Sequence, residues 1–84
     1  MKQQERNSLS QLEMGQKAQV VGVSGQSEVS RRLLEMGITP GVEVRLLRAA
    51  PLGDPLEFEL RGYRLSLRRS EAQQIEVARV TDRE

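Results

Sequence analysis

The feature that most constrains this chain is the run LEFELRGYRLSL, residues 56–67. Leu56, Phe58 and Leu60 alternate with Glu57 and Glu59. After Arg61-Gly62, Tyr63, Leu65 and Leu67 alternate with Arg64 and Ser66. Period-two alternation is the mark of a strand with one buried face. A two-residue turn at Arg61-Gly62 pairs Leu60 with Tyr63, Phe58 with Leu65 and Leu56 with Leu67, all apolar and all on one face. The other face then sets Glu59 against Arg64 and Glu57 against Ser66. A one-residue slip destroys this agreement between register and hydrophobicity. Arg-Gly is a less favoured turn pair than Asn-Gly, which leaves a bulged turn open.

Other segments are built around this hairpin. Leu9 and Leu12 suggest a short helical turn closed by Gly15. The valine-rich KAQVVGVSG, from Lys17, reads as a strand. Val20 and Val23 are oddly spaced, so they share a face only if Gly22 carries a bulge. In SEVSRRLLEMG, Ser27 is the expected N-cap and Glu28 sits in the positive first turn. Val29, Leu33 and Met36 recur at helical spacing, with Leu34 widening the stripe. Gly37 is the expected left-handed residue at the helix end, closed by Ile38. Thr39-Pro40-Gly41-Val42 has the chemistry of a type II turn. Val42, Val44 and Leu46 then alternate with Glu43 and Arg45. Arg69 to Ala72 reads as one helical turn capped by Ser70, and Gln74 to Val80 as a last strand with Ile75 and Val77 inward.

Between two of these strands lies APLGDP, Ala50 to Pro55. Pro51 and Pro55 bias the residues before them to extended geometry and stiffen the loop. Leu52 and Asp54 stand at its tip. Asp54 has two candidate roles, a docking contact or a cap on backbone N–H groups.

Short strands joined mostly by tight turns predict a mainly β fold: a small SH3-like barrel of about five strands with one short α-helix plugging an open end. An open α+β sheet covered by the helix is the alternative. At 84 residues with 37% apolar side chains, the chain holds one small core. We expect residues 1–8 to be a polar tail, 9–80 the single domain and 81–84 a frayed end.

Composition excludes much chemistry. Cysteine and histidine are absent, which removes thiolate and imidazole catalysis and the usual ligands for zinc, copper and haem. Thirteen basic and twelve acidic residues nearly cancel, so no dominant field for nucleic acid or membrane is indicated. One Phe and one Tyr are too few for a base-stacking platform. Glu57 and Glu59 share a strand face but stand opposite Arg64, which fits a solvated, salt-bridged surface better than a catalytic pair. No glycine run precedes Lys and Ser/Thr as a phosphate loop requires. Asp54 alone is no metal cage, and Met36 lies on the helix's apolar stripe. Arg61, Arg64, Arg68 and Arg69 cluster in one hairpin, a mild nucleic-acid signal diluted by the neighbouring glutamates.

Taken together, LLEMGITPG, a following V-x-V, APLGDP and GYRLSLRR-x-EA-x-x-I-x-V resemble the FeoA family of ferrous iron transport accessory proteins, over most of the chain. The resemblance implies an SH3-like barrel and a cytoplasmic role beside FeoB, the membrane iron transporter with a GTP-binding domain. With the composition and motifs above, we expect no enzyme activity, no cofactor, no metal site and no insertion into the membrane. Leu33, Met36, Gly37, Pro40, Gly41, Pro51, Pro55 and Gly62 become motif residues with structural duties. Leu52, Gly53, Asp54, Arg64 and Arg68 become the expected partner-binding set. Alternatives are a nucleic-acid-binding small barrel using Arg64, Arg68 and Arg69, or a detached domain of the kind that ends iron-dependent repressors. Strand edges leave weak self-association open.

Overall fold

Six strands, two helices and a 3-10 turn make up residues 6–24 and 28–79, the part of the chain that the computed structural model describes. The strands are β1 Arg6–Ser8, β2 Lys17–Val23, β3 Glu43–Ala49, β4 Leu56–Leu60, β5 Tyr63–Leu67 and β6 Ile75–Arg79. The helices are α1 Glu28–Glu35 and the single-turn α2 Arg69–Ala72, and the 3-10 turn covers Leu9–Gln11. All neighbours in the sheet are antiparallel, in the order β1-β6-β2-β3-β4-β5. Residues from β2 to β6 join one buried cluster with Leu9, Leu12, Leu33 and Ile38. The sheet therefore curls around a single core as a small barrel does, with β1 and β5 as its unpaired ends.

The hairpin forms in the register its alternation dictates: Leu60 faces Tyr63, Phe58 faces Leu65 and Leu56 faces Leu67. Arg61 and Gly62 take φ values of 52° and 84°, the left-handed pair of a type I′ turn. No bulge intervenes. In β2, by contrast, Val20 pairs with Val77 while Gly22 pairs with Glu76. This bulge buries Val20 and packs Val23 against the core. A second bulge lies at Leu47, since Leu46 pairs with Phe58 and Arg48 with Glu57. No glycine marks it in the sequence.

Helix α1 ends as its sequence requires. Gly37 N–H donates to Leu34 O at 3.1 Å and Ile38 N–H to Leu33 O at 3.1 Å, the paired bonds of a Schellman motif. Leu33 and Ile38 are both fully buried and close it hydrophobically. Gly37 has φ 103°, and a Cβ there would stand 2.8 Å from the Tyr63 hydroxyl. That hydroxyl donates to Met36 O, so glycine is required for its conformation and for the close approach of Tyr63. The type II turn also forms: Val42 N–H donates to Thr39 O at 3.1 Å, with Gly41 at φ 95°. In the same last turn, α1 is tied to α2 by Arg32 and Glu71, 3.4 Å apart. The helix thus lies beside the open β5 end of the sheet.

The described residues hold six strands and two helices, one of them the expected turn at Arg69–Ala72, within the expected mainly β, SH3-like class. Three expectations need correction. The added strand comes from the expected tail: Arg6, Asn7 and Ser8 pair with Ala78, Val77 and Glu76. A strand at the sheet's end is held by backbone hydrogen bonds along one side, so it needs no apolar pattern to betray it. Leu34 does not widen the stripe. It is exposed, because the buried face runs through Val29, Ser30, Leu33 and Met36, and one residue past Leu33 is a rotation of about 100°. Ser70 does not cap α2, whose first helical residue is Arg69. Ser27 and Val80 lie outside the described residues.

Candidate docking face

The Ala50–Pro55 loop joins β3 to β4 and is folded on itself. Gly53 N–H donates to Ala50 O at 2.7 Å, and Ala50 N–H to Pro55 O at 2.9 Å. The first bond closes a β-turn with Pro51 and Leu52 at its centre. Leu52 keeps a negative φ while Gly53 turns to φ 89°, so proline and glycine stand where a type I turn favours them. The Asp54–Pro55 peptide is cis. Leu52 is 96% exposed. An isoleucine- or leucine-sized side chain displayed to that degree at the tip of an ordered loop contributes nothing to the core.

The loop is fastened from outside. The Asp54 carboxylate accepts the Arg69 backbone N–H at 2.9 Å, supplying the N-terminal cap that Ser70 was expected to give to α2. A carboxylate there also meets the positive end of the helix. The Arg69 guanidinium reaches back: Nε and Nη2 donate to Gly53 O at 3.1 and 2.9 Å, and Nη1 to Ser10 O at 3.2 Å. Glu71 completes the corner by accepting the Arg68 N–H at 2.9 Å. Loop, α2 and the 3-10 turn are thereby bound into one unit.

Among the expected partner-binding residues, Leu52, Gly53 and Asp54 lie on this loop, and Arg68 is beside it. Asp54, Pro55, Ser66, Arg68 and Glu71 line one open cleft. A second cleft runs along Ala50, Pro51, Pro55, Glu57 and Ser66 to Arg48. Arg64 is farther along the outer face and reaches the loop's surroundings only through Glu57. That carboxylate takes Arg48 at 2.9 Å and Arg64 at 3.9 Å, so the solvated salt-bridged face is observed, with Arg64 reaching diagonally instead of to Glu59. Both arginines are largely exposed, and such pairs contribute about 0–1 kcal/mol.

The motif residues serve the scaffold. Leu33 is buried, Met36 packs on the core edge, and Gly37, Pro40, Gly41 and Gly62 sit at the helix end and turns described above. Pro51 and Pro55 frame the loop. Arg69 and Ser10 are the residues of this corner that sequence reasoning missed. Arg69 had been grouped with the surface arginines, and no local pattern shows that one of them turns inward onto carbonyl oxygens. Among the described residues, no three acidic side chains converge as a cation cage, and no buried side-chain nitrogen or oxygen lacks a partner. The arrangement offers a displayed apolar tip and mixed charge, the chemistry of a contact surface.

A sequence model of the FeoA domain matches residues 7–79. The chain belongs to the FeoA domain family. It is 41% identical over 69 residues to the Fe(2+) transport protein A/Fe(2+) transporter FeoB fusion protein of Porphyromonas gingivalis (strain ATCC BAA-308 / W83), which takes in 82% of this chain. The chain spans only 8% of that relative's length. Its structure is similar to the NMR structure of the FeoA-like protein from Clostridium acetobutylicum, with TM-score 0.86 and 38% identity over 100% of this chain and 95% of that one. It also resembles the zinc complex of Stenotrophomonas maltophilia FeoA, described as a prokaryotic SH3 domain protein, with TM-score 0.74 and 35% identity over 83% and 87% of the two chains. The SH3-like fold and the family resemblance both stand. In that relative, the region similar to this chain is part of a polypeptide that also carries the Fe(2+) transporter FeoB. No helix among the described residues is long and apolar enough to cross a membrane.

Proposed function

We propose that this FeoA domain is a non-enzymatic, cytoplasmic adaptor that regulates a ferrous iron transporter by docking to the cytoplasmic GTP-binding part of a FeoB-type protein. The observation that carries this reading is Leu52, 96% exposed on a loop otherwise fully tied down. An ordered apolar tip loses little conformational freedom on binding, so its burial in a partner counts almost fully toward affinity. Gly53 shapes the tip, and Asp54, Arg68 and Arg64 supply a polar rim around it. The fusion of a related domain to a FeoB transporter in one polypeptide supports FeoB as the partner.

The test is a binding titration of the full chain against the cytoplasmic part of a FeoB-type transporter in each nucleotide state, comparing wild type with Leu52→Glu. We expect the variant to bind about tenfold or more weakly, the loss that a hot-spot side chain worth 1.4 kcal/mol or more produces. A thermal melt of the variant accompanies the titration. Equal binding by the two proteins, with both folded, removes the loop as the site.

A further inference from the structure

We infer that Arg69 is the positioning residue of the docking loop: its guanidinium, bridging Gly53 O and Ser10 O, holds Leu52 in the presented conformation. This inference rests on the docking reading for its functional consequence but not for its structural content. Three observations carry it. First, the side-chain hydrogen bonds of Arg69 go to carbonyl oxygens in two segments, the loop and the 3-10 turn, distant by 16 and 59 residues in the chain. They do not go to the sheet. Secondly, the sheet beneath the loop is fixed without Arg69, because Ala49 pairs with Leu56 in the register of β3 and β4. Thirdly, the backbone of the same residue donates to Asp54, so Arg69 grips the loop on both sides of the Gly53–Asp54 peptide. The rigid guanidinium fork holds donors on three nitrogens and so reaches both carbonyl groups in one fixed geometry. A lysine ammonium has three donors on a single nitrogen and lacks that span.

Removing the fork frees the loop while leaving the barrel folded. A loop that samples many conformations presents the binding-competent one only part of the time, and affinity falls by that fraction. The surface arginine Arg31, exposed on α1, provides a control with the same loss of charge away from the loop.

The experiment is amide hydrogen exchange by NMR on the full chain, for wild type, Arg69→Ala, Arg69→Lys and Arg31→Ala. We expect Arg69→Ala to raise exchange at the Ala50 and Gly53 amides about tenfold, as local opening does, with the strand amides of Val44 and Phe58 unchanged. Arg69→Lys falls between, and Arg31→Ala matches wild type. Unchanged exchange at Ala50 and Gly53, or an equal rise at Val44 and Phe58, overturns the inference. The same proteins are then titrated with the cytoplasmic part of a FeoB-type transporter. We expect Arg69→Ala to weaken binding about tenfold, and to have little effect once Leu52→Ala is present, since coupled residues are not additive. If wild type fails to bind, the docking reading falls while the exchange data still decide the role of Arg69. If wild type binds and Arg69→Ala binds equally well despite a freed loop, the positioning role in docking is overturned alone.

Discussion

Strand β4 is joined to its two neighbours in opposite ways. Toward β5 the connection is two residues, Arg61-Gly62, and its shape follows from the register and two positive φ angles. Toward β3 it is the Ala50–Pro55 loop, held by groups far away in sequence: Arg69 on Gly53, and Asp54 on Arg69. The short turn is specified by its own two residues and by the register of the strands it joins. The longer loop borrows its order from α2 and the 3-10 turn. A connection fastened by tertiary contacts can display a side chain at its tip without using that side chain for support, and Leu52 is displayed in this way. The tip of the short turn instead carries a strained residue, Arg61, where Asn is the usual choice.

The largest expected effect tests whether both connections rest on β4. Phe58 is fully buried and pairs with Leu46 on one side and Leu65 on the other. Phe58→Ala should cost about 3–5 kcal/mol, enough to unfold much of a domain this small, as followed by urea denaturation. A loss below about 1.5 kcal/mol, the range of a volume-conserving core change, would show that the two connections do not share that base. Next comes the borrowed cap. Asp54→Ala should cost about 1 kcal/mol and speed exchange of the Arg69 amide, while Asp54→Asn retains most of the stability. If alanine and asparagine behave alike, the loop is not held through α2. The short turn should respond in the other direction. Arg61→Asn relieves a left-handed arginine and should stabilise the protein by about 0.5–1 kcal/mol in the same assay; a loss would mean that the Arg61 side chain contributes in the folded state. The smallest effect is on the displayed tip. Leu52→Glu should leave stability within about 0.5 kcal/mol of wild type while weakening the proposed docking, and a larger drop would show the tip to be a structural contact.

Legibility in the sequence follows the same division. The β4–β5 register, the bulge at Gly22, the Schellman end of α1 and the type II turn at Pro40-Gly41 were all readable, because neighbouring residues specify them. The edge strand β1 was not, since Asn7 and Ser8 are held by backbone bonds to β6 that carry no side-chain pattern. The bulge at Leu47 has no glycine to announce it. At the docking face, the loop and Leu52 were legible from proline spacing and an unpatterned leucine. Backbone capping was one of the two roles offered for Asp54, but that the cap falls on α2, and that Arg69 turns onto the loop, was not legible, because each contact spans 15 or 16 residues across a corner of the fold. Charge alone ranked Arg69 with its exposed neighbours.

The short strand β1 has one more consequence. Arg6 and Ala78 are cross-strand partners, so the two described ends of the chain leave the fold side by side. The 3-10 turn whose Ser10 carbonyl holds Arg69 follows at once. A polypeptide joined at either end starts from the same corner, one segment away from the clasp. If a binding partner hangs there on a short flexible tether, it meets the loop at an effective concentration on the order of millimolar, and even a weak contact through Leu52 would be occupied most of the time.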